Sequence, residues 1–134
     1  MSIWTADELR RIGQAEELRI ASRRSDGSLR PYVTIWVARS GDELYVRSAY
    51  GYDNPWFQRA LRSGEGRIRA GGVERDVAFE VPEPGVAGGV SAAYHEKYDR
   101  YGPSVVGTVV SSEAVRSTLR VVPRQVQGRE VVPA

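Results

Sequence analysis

The chain has 134 residues, a length that suits one domain with a single hydrophobic core. Its formal net charge is only +2, which argues against a dedicated nucleic-acid-binding protein. There are no cysteines, which excludes disulfides, thiolate metal ligands and a cysteine nucleophile. No apolar run approaches the roughly 18 residues of a membrane helix, and the acidic N-terminal stretch is unlike a signal peptide. We therefore expect a cytoplasmic protein without membrane contact.

The N-terminal third of the chain predicts one helix and then a hairpin. The run Thr5-Ala6-Asp7-Glu8 is a capping box, so we expect a helix from residue 6 to about residue 12 that ends at Gly13. Residues 17–23 alternate in polarity and predict a first strand. The Asp26-Gly27 pair then predicts a tight hairpin turn.

Two further strands follow the first hairpin. Residues 30–39 are apolar on both faces, which predicts a central strand. The run Ser40-Gly41-Asp42 predicts a turn, and residues 43–49 predict a third strand. The remaining predicted elements are a helix from Pro55 to about residue 63, strands at 66–70 and 73–81, a helix from residue 86 or 89 to 101, and a last strand at 118–122. Residues 104–112 are ambiguous, because they are rich in β-branched residues but are interrupted by Gly107, and residues 112–113 could start one helical turn.

Antiparallel strands joined by short hairpins favour a mainly β architecture with flanking helices. We expect an antiparallel sheet closed or partly closed into a barrel, because closure hides the sheet edges. We expect residues 1–124 to form a single domain. Residues 125–134 contain few packing signals, so we expect them to form a flexible tail.

The pair Arg47-Ser48, at the end of the third strand, is a candidate anion site. Strand alternation places the two side chains on opposite faces unless the chain bends there. Gly51 makes a bend plausible, because glycine tolerates positive φ. The alternative is that Arg47 pairs with an acidic side chain on a neighbouring strand, and the sequence leaves both readings open.

Other arginines also have two readings. Arg23 and Arg30 flank the first hairpin and lie near each other across it, so they either hold an anion or splay into solvent. Arg67 and Arg69 share one face of the fourth strand, and the same alternatives apply.

Aromatic residues could form a ring site or simply fill the core. Trp36 and Trp56 could flank a flat ring, although both also suit the core, and Trp56 suits a dimer contact. Tyr45 and Tyr50 are the candidate proton donors. The single histidine, His95, is interpreted as a helix residue that packs or faces solvent, so no metal site is expected.

Several motifs together resemble the bacterial domain-of-unknown-function family DUF2255. They are W-T-A-D-E-L from Trp4, E-L-R-I-A from Glu17, R-S-D-G-S-L-R from Arg24, I-W-V-A-R-S-G-D-E-L-Y-V-R-S from Ile35 and G-R-I-R-A-G-G-V from Gly66. The resemblance extends from about Trp4 to Arg124. That family resembles the split β-barrels that bind FMN or deazaflavin, including deazaflavin-dependent nitroreductases and pyridoxamine-phosphate oxidase-like proteins.

The resemblance implies a six-stranded antiparallel split barrel that binds a cofactor at a homodimer interface. The implied cofactor is FMN or a deazaflavin (the 8-hydroxy-5-deazaflavin hydride carrier), with no metal. The implied contacts, carried over from the matching positions, are Arg30, Arg47, Ser48, Trp56 and Arg59. One departure is that Ser25-Asp26-Gly27 stands where the nitroreductases have a Lys-Ser-Gly turn.

Three functions are consistent with these features. The first is a flavin- or deazaflavin-dependent oxidoreductase that transfers hydride to a small unsaturated or nitro-substituted substrate. The second is a cofactor-free barrel of the same fold that binds a small anion or a protein partner. The third is nucleic-acid binding through the arginine-rich hairpins, which the near-neutral net charge disfavours.

Overall fold

Seven antiparallel strands and five α-helices make up residues 4–124, the part of the chain that the computed structural model describes. The tail predicted for residues 125–134 lies outside the described residues. The strands are β1 (Leu18–Ser22), β2 (Val33–Ile35), β3 (Ala38–Ser40), β4 (Glu43–Arg47), β5 (Glu65–Ala70), β6 (Val73–Glu80) and β7 (Thr118–Pro123). The helices are α1 (Ala6–Gln14), α2 (Pro55–Ser63), α3 (Ala87–Tyr98), α4 (Pro103–Val110) and α5 (Ser112–Arg116). None of these helices combines the length and the apolar character that a membrane span requires.

The sheet is curled so that its two edges belong to one continuous segment. Its strand order is β2-β1-β5-β6-β7-β4-β3, and every neighbouring pair is antiparallel. The edge strands β2 and β3 are consecutive in the chain, with only Trp36 and Val37 between them. Residues 33–40 therefore pass from one edge to the other, and counting them as one strand gives the six strands predicted. The predicted mainly β split barrel with flanking helices is confirmed.

The uninterrupted strand predicted for residues 30–39 is wrong, because the ladder breaks at Trp36 and Val37. The buried backbone of Val37 is satisfied instead by side chains of α3. Its N–H donates to the Tyr98 hydroxyl (3.3 Å), and its carbonyl accepts from Lys97 Nζ (2.9 Å). The Tyr98 hydroxyl also donates to the Glu16 carbonyl at 2.7 Å. Side chains of α3 thus replace the strand-to-strand hydrogen bonds that are missing at Trp36 and Val37, which we call the split.

Two clusters of buried apolar side chains lie on the two faces of the sheet. The larger cluster fills the barrel interior, where α1 and α2 cover its ends with Ile12 and Phe57. The smaller cluster lies between the β3–β4 hairpin and the helices α3 and α4. Tyr45 of β4 enters this second cluster, whereas its neighbour Leu44 enters the first, as strand alternation predicts.

Helix boundaries follow most of the local signals. The capping box at Thr5 is present, and α2 ends at Gly64, whose φ is 75°. Helix α1 continues past Gly13 to Gln14, contrary to prediction. Gly13 allows close packing instead, since a Cβ there would lie 3.2 Å from Arg39 Cδ. The segment at 104–112 forms α4, in which Val106 and Val109 share the buried face.

Lys97, the only lysine in the chain, titrates abnormally because of its place at the split. Burial lowers the pKa of the Lys97 ammonium to about 8. The folded chain therefore releases this proton near pH 8, and the unfolded chain releases it near pH 10.5. Below pH 8 the penalty of burying the charge is fully present, and it is relieved as the pH rises toward 10.5.

We expect the free energy of unfolding of the wild type to rise, relative to that of Lys97→Met, by roughly 1 kcal/mol between about pH 7.5 and 10. The value is well below the full linkage energy because the Lys97 side chain is partly exposed. Urea denaturation of both proteins across that pH range measures it. Parallel stability curves for the two proteins would show that Lys97 titrates normally.

Candidate functional site

Arg47 is the last residue of β4, and its side chain is buried between the sheet and two helices. Only 2% of it is exposed. The guanidinium donates four hydrogen bonds, all to neutral oxygens. Nε donates to Thr118 Oγ1 (3.0 Å), and Nη1 donates to Ser91 Oγ (2.8 Å) and to the Val109 carbonyl (2.9 Å). Nη2 donates to the Ala87 carbonyl (3.1 Å). These bonds tie β4 to β7, α3 and α4.

The charge of Arg47 is solvated by these oxygens but is not neutralised. No carboxylate among residues 4–124 pairs with Arg47, so the predicted alternative of an ion pair on a neighbouring strand is wrong. Burial lowers the pKa of the guanidinium, which still keeps its proton at physiological pH. The Val109 carbonyl lies in the last turn of α4, where carbonyls lack helical partners and favour a cation. A buried positive charge without a counter-ion therefore remains available to a ligand.

A cavity of about 340 Å³ opens beside Arg47, and we call it the aromatic cavity. Its walls come from residues 33–36, from Arg47, Ala49 and Tyr50, from Asn54 and Trp56 at the start of α2, and from Val105, Thr108 and Val109 of α4. The volume lies in the range of small-molecule sites, which are mostly apolar with a few placed polar groups. The aromatic cavity has that composition.

Both tryptophans singled out in the sequence line this cavity. Trp36 stacks on Tyr98 of α3, with ring centroids 3.8 Å apart and planes at 3°. Trp56 is buried and meets the edge of Phe57, with centroids 5.9 Å apart. Each indole thus has an aromatic packing partner and also borders the cavity, so both tryptophans have a packing role and the ring-site reading stays a prediction.

Ser48 and the two candidate tyrosines lie differently from Arg47. The chain turns after β4, with Gly51 at φ 92°, and Ser48 is fully buried but lines neither this cavity nor the one described next. Tyr45 belongs to the second apolar cluster, away from the cavity. Tyr50 is 85% exposed at the cavity rim. Of the two proposed proton donors, only Tyr50 is placed to meet a ligand.

A second cavity, of about 450 Å³, has a strongly basic wall, and we call it the arginine pocket. It is lined by Arg23, Arg24, Ser25, Arg30, Arg59, Arg62, Ser63 and Glu65. Arg30 and Arg59, two of the predicted phosphate contacts, meet here. The predicted contacts are therefore divided: Arg47 and Trp56 at the aromatic cavity, Arg30 and Arg59 at the arginine pocket.

The two cavities are bordered by the same two parts of the chain. Helix α2 contributes Trp56 to the first and Arg59 to the second, one helical turn apart. The segment from Arg30 to Trp36 likewise contributes to both. A ligand with an aromatic ring and an anionic tail would find both kinds of surface along these elements.

The remaining charged candidates have local partners. Arg67 donates to Asp76 (2.8 Å), and Arg69 lies near Glu74 (3.5 Å), so both are engaged in ion pairs. The hydrogen bond from Arg67 keeps the pKa of Asp76 below its usual value. His95 is exposed and faces Asp99, with Nδ1 2.8 Å from Oδ1. No cluster of three potential metal ligands occurs between residues 4 and 124.

Several solved structures share this fold, and they include an F420 reductase and a FAD-binding protein. A conserved hypothetical protein, Rv2991 from Mycobacterium tuberculosis, superposes with a TM-score of 0.63 at 15% identity, over 92% of this chain and 83% of that one. An F420 reductase superposes with a TM-score of 0.54 at 16% identity, over 87% of this chain and 93% of that one. A FAD-binding protein from Mesorhizobium loti superposes with a TM-score of 0.54 at 15% identity, over 91% of both chains. At these identities the likeness establishes the split-barrel class of fold.

The sequence itself places the chain in a family. Residues 8–121 match DUF2255, described as an uncharacterized protein conserved in bacteria, and the chain belongs to that family. The resemblance found from the motifs is thereby confirmed. A search of curated proteins gives no match.

We expect Arg47→Ala to lower the free energy of unfolding by about 3 kcal/mol, because it leaves a cavity and removes the donor from four buried acceptors. Chemical denaturation measures the change. Arg116→Ala is the matched control, since Arg116 is exposed on α5 and its loss should change stability by less than about 0.5 kcal/mol. A loss below about 1 kcal/mol for Arg47→Ala would contradict a clamping role.

Proposed function

We propose that this protein is an oxidoreductase that binds a flavin-type cofactor, FMN or deazaflavin, with the ring in the aromatic cavity. The observation that carries the proposal is the buried, uncompensated charge of Arg47 in the wall of a cavity bordered by two tryptophans. Such a cofactor would supply the hydride chemistry when bound. The protein would supply binding, orientation and electrostatics.

The residues of the aromatic cavity fit a flavin-type ring in shape and charge. Trp36 and Trp56 offer flat apolar surface, and the buried Val109 adds an apolar side chain to the cavity wall. A cation beside a flavin-type ring stabilises negative charge that develops on its pyrimidine end during reduction. Arg47, which lines the cavity, is the proposed cation for that role.

The anionic tail of the cofactor is proposed to meet the arginine pocket. Arg30 and Arg59 remain the proposed phosphate contacts, since both line that pocket and neither forms an ion pair among the described residues. Ser48 is omitted from the proposed contacts, because its side chain lines neither cavity. Tyr50, at the rim, is the proposed residue that meets the small substrate.

A cofactor-free protein that binds a small anion is the alternative. The same observation favours it, because a carboxylate or phosphate could also neutralise Arg47 in the aromatic cavity. The two proposals differ in what they require of the tryptophans. A flat ring would quench indole fluorescence and shift its own absorption, whereas a small anion would do neither.

We expect FMN or the deazaflavin to bind saturably, with micromolar or tighter affinity, when the purified protein is titrated and ring fluorescence is followed. Arg47→Lys, which keeps the charge but loses the planar donor fork, should weaken binding about tenfold or more. Trp56→Leu should weaken it about tenfold through lost ring contact. Absence of binding for both cofactors would exclude the proposed function and leave the small-anion alternative.

Two controls separate these effects from unfolding. Circular dichroism and a thermal melt establish that each variant is folded at the titration temperature. Arg116→Lys, at an exposed position far along the chain on α5, should bind the cofactor as the wild type does. A matching loss in this control would show that the change in affinity is not local.

We also propose that the protein is a cytoplasmic homodimer whose second copy covers the mouth of the aromatic cavity. Tyr50 and Val105 line that mouth and are 85% and 41% exposed, which leaves apolar surface in water. Sedimentation equilibrium should give twice the chain mass, and Tyr50→Lys should shift the equilibrium toward monomer. A monomer at concentrations of about 100 μM, where interfaces of micromolar affinity are saturated, would exclude this interface.

A further inference from the structure

The arginine pocket concentrates positive charge in a chain that is otherwise nearly balanced. Most of its arginines are engaged in ion pairs with acidic side chains. Those between residues 4 and 124 that form no ion pair are Arg19, Arg24, Arg30, Arg47, Arg59 and Arg62. Four of these line the arginine pocket. The net charge of +2 conceals this local excess.

Two acidic groups near the pocket are already engaged in ion pairs, whereas Asp26, in the hairpin turn, interacts electrostatically with Arg24. The one carboxylate in the pocket wall, Glu65, is paired with Arg124. Arg23 is paired with Asp76 at 3.1 Å, and Asp76 is shared with Arg67. Guanidinium groups held close together repel one another in the absence of an anion. Among the described residues, no carboxylate forms an ion pair with Arg30, Arg59 or Arg62, so an anion is needed to neutralise them.

The hairpin between β1 and β2 fixes part of the pocket before any ligand binds. Arg23 Nη1 donates to the Gly27 carbonyl (2.7 Å), which holds its side chain against the turn. Arg24 Nη1 donates to the Leu29 carbonyl at 3.0 Å. Gly27 adopts φ 89°, a left-handed conformation that glycine accepts without strain. Two guanidinium groups are thus positioned by the backbone, which lowers the entropy lost when they bind an anion.

The opposite wall is formed by helix α2, which presents Arg59 and Arg62 one turn apart. Ser63 adds a hydroxyl to the same wall, although its Oγ donates to the Glu65 carbonyl at 3.0 Å. The interaction of a cation with the C-terminal end of α2 could account for Arg62 alone. It does not account for Arg30, which comes from a different element and faces the same cavity.

We propose that the arginine pocket binds a terminal diphosphate, such as inorganic pyrophosphate or the end of a nucleoside diphosphate. A monophosphate carries at most two negative charges, and two bidentate guanidinium groups satisfy it. The four unpaired arginines that line about 450 Å³ (Arg24, Arg30, Arg59 and Arg62) can engage more charge and more oxygens than one phosphate offers. The proposed cofactor tail would use the same pocket, but this proposal does not rest on the flavin-type cofactor, because it depends only on the charges and lining residues of the arginine pocket.

The test is calorimetric titration of the full chain with inorganic pyrophosphate and, separately, orthophosphate, at an ionic strength of about 0.15 M. Pyrophosphate should bind at least about tenfold more tightly, because it adds charge-assisted hydrogen bonds. Arg30→Ala and Arg59→Ala should each weaken pyrophosphate binding about tenfold or more. Arg59→Lys, which keeps the charge, should show a smaller loss than Arg59→Ala.

The matched control is Arg116→Ala, which removes the same charge at an exposed position outside the pocket and should leave the affinity within about twofold. Equal affinity for the two phosphates, or an equal loss in the control, would overturn the proposal. Tighter binding of a single-stranded oligonucleotide than of pyrophosphate would overturn it too, in favour of a nucleic-acid surface.

Two further titrations identify the source of the diphosphate and keep this proposal separate from the flavin-type site. ADP that competes with pyrophosphate supports a nucleotide ligand. FMN that competes with pyrophosphate supports a pocket shared with the cofactor tail, whereas simultaneous binding supports a second ligand. Pyrophosphate binding without any flavin or deazaflavin binding would retain the diphosphate site and exclude only the proposed oxidoreductase function.

Discussion

The buried guanidinium of Arg47 is the interaction on which the arrangement of the helical layer depends. It joins the end of β4 to β7 through Thr118 and to α3 and α4 through three further oxygens. A neutral residue of similar length could pack there, but it could not supply donors to all of these acceptors. Buried polar networks of this kind favour one arrangement of elements, since any other leaves polar atoms without partners. The fold therefore needs the Arg47 guanidinium. Because no acidic side chain among the described residues neutralises it, its positive charge can act on a ligand in the aromatic cavity.

The break in the sheet at Trp36 and Val37 links barrel closure to the same helical layer. Lys97 and Tyr98 of α3 satisfy the backbone of Val37, and Trp36 stacks on the Tyr98 ring. One helix thus closes the barrel and supports a wall of the aromatic cavity. A change in the position of α3 would alter both the split and the cavity, because the same side chains serve both. Helix α3 contains glycines at its start, and its hold on the barrel comes from these contacts more than from intrinsic propensity.

Local features could be predicted from the sequence, whereas the contacts of the site could not. The capping box at Thr5, the Asp26-Gly27 turn and the start of α2 at Pro55 each depend on residues within a few positions of one another. The break in the strand at residues 36–37 depends on Lys97 and Tyr98, about sixty positions later, and no local signal contains that information. The motifs resembling a known family supplied the global fold.

The same distinction applies to the individual site residues. A buried arginine at the end of β4 could be expected to need partners, but the sequence offered only an anion or a carboxylate. The actual partners include Ser91 and Thr118, whose hydroxyls are unremarkable in the sequence. Arg30 and Arg59 were singled out together, yet their separation from Arg47 into another cavity follows from how α2 lies along residues 30–36. Side-chain type limits what a residue can do, and the tertiary arrangement decides which residues act together.

The places where this chain can attract an anion depend on which arginines form ion pairs, more than on the numbers of basic and acidic residues. Arginine and acidic residues nearly cancel in number, and along β5 and β6 they also cancel in space, as Arg67 and Arg69 do with Asp76 and Glu74. Among residues 4–124, cancellation fails around Arg47 and around the arginine pocket, and Arg19 on β1 is the one further arginine without an ion pair. The cavity beside Arg47 and the arginine pocket both lie beside α2. An anionic ligand that approaches this helix therefore meets positive charge that ion pairs do not neutralise. Because exposed pairs contribute little to stability, their main effect here is to neutralise most of the arginines that lie outside the two cavities.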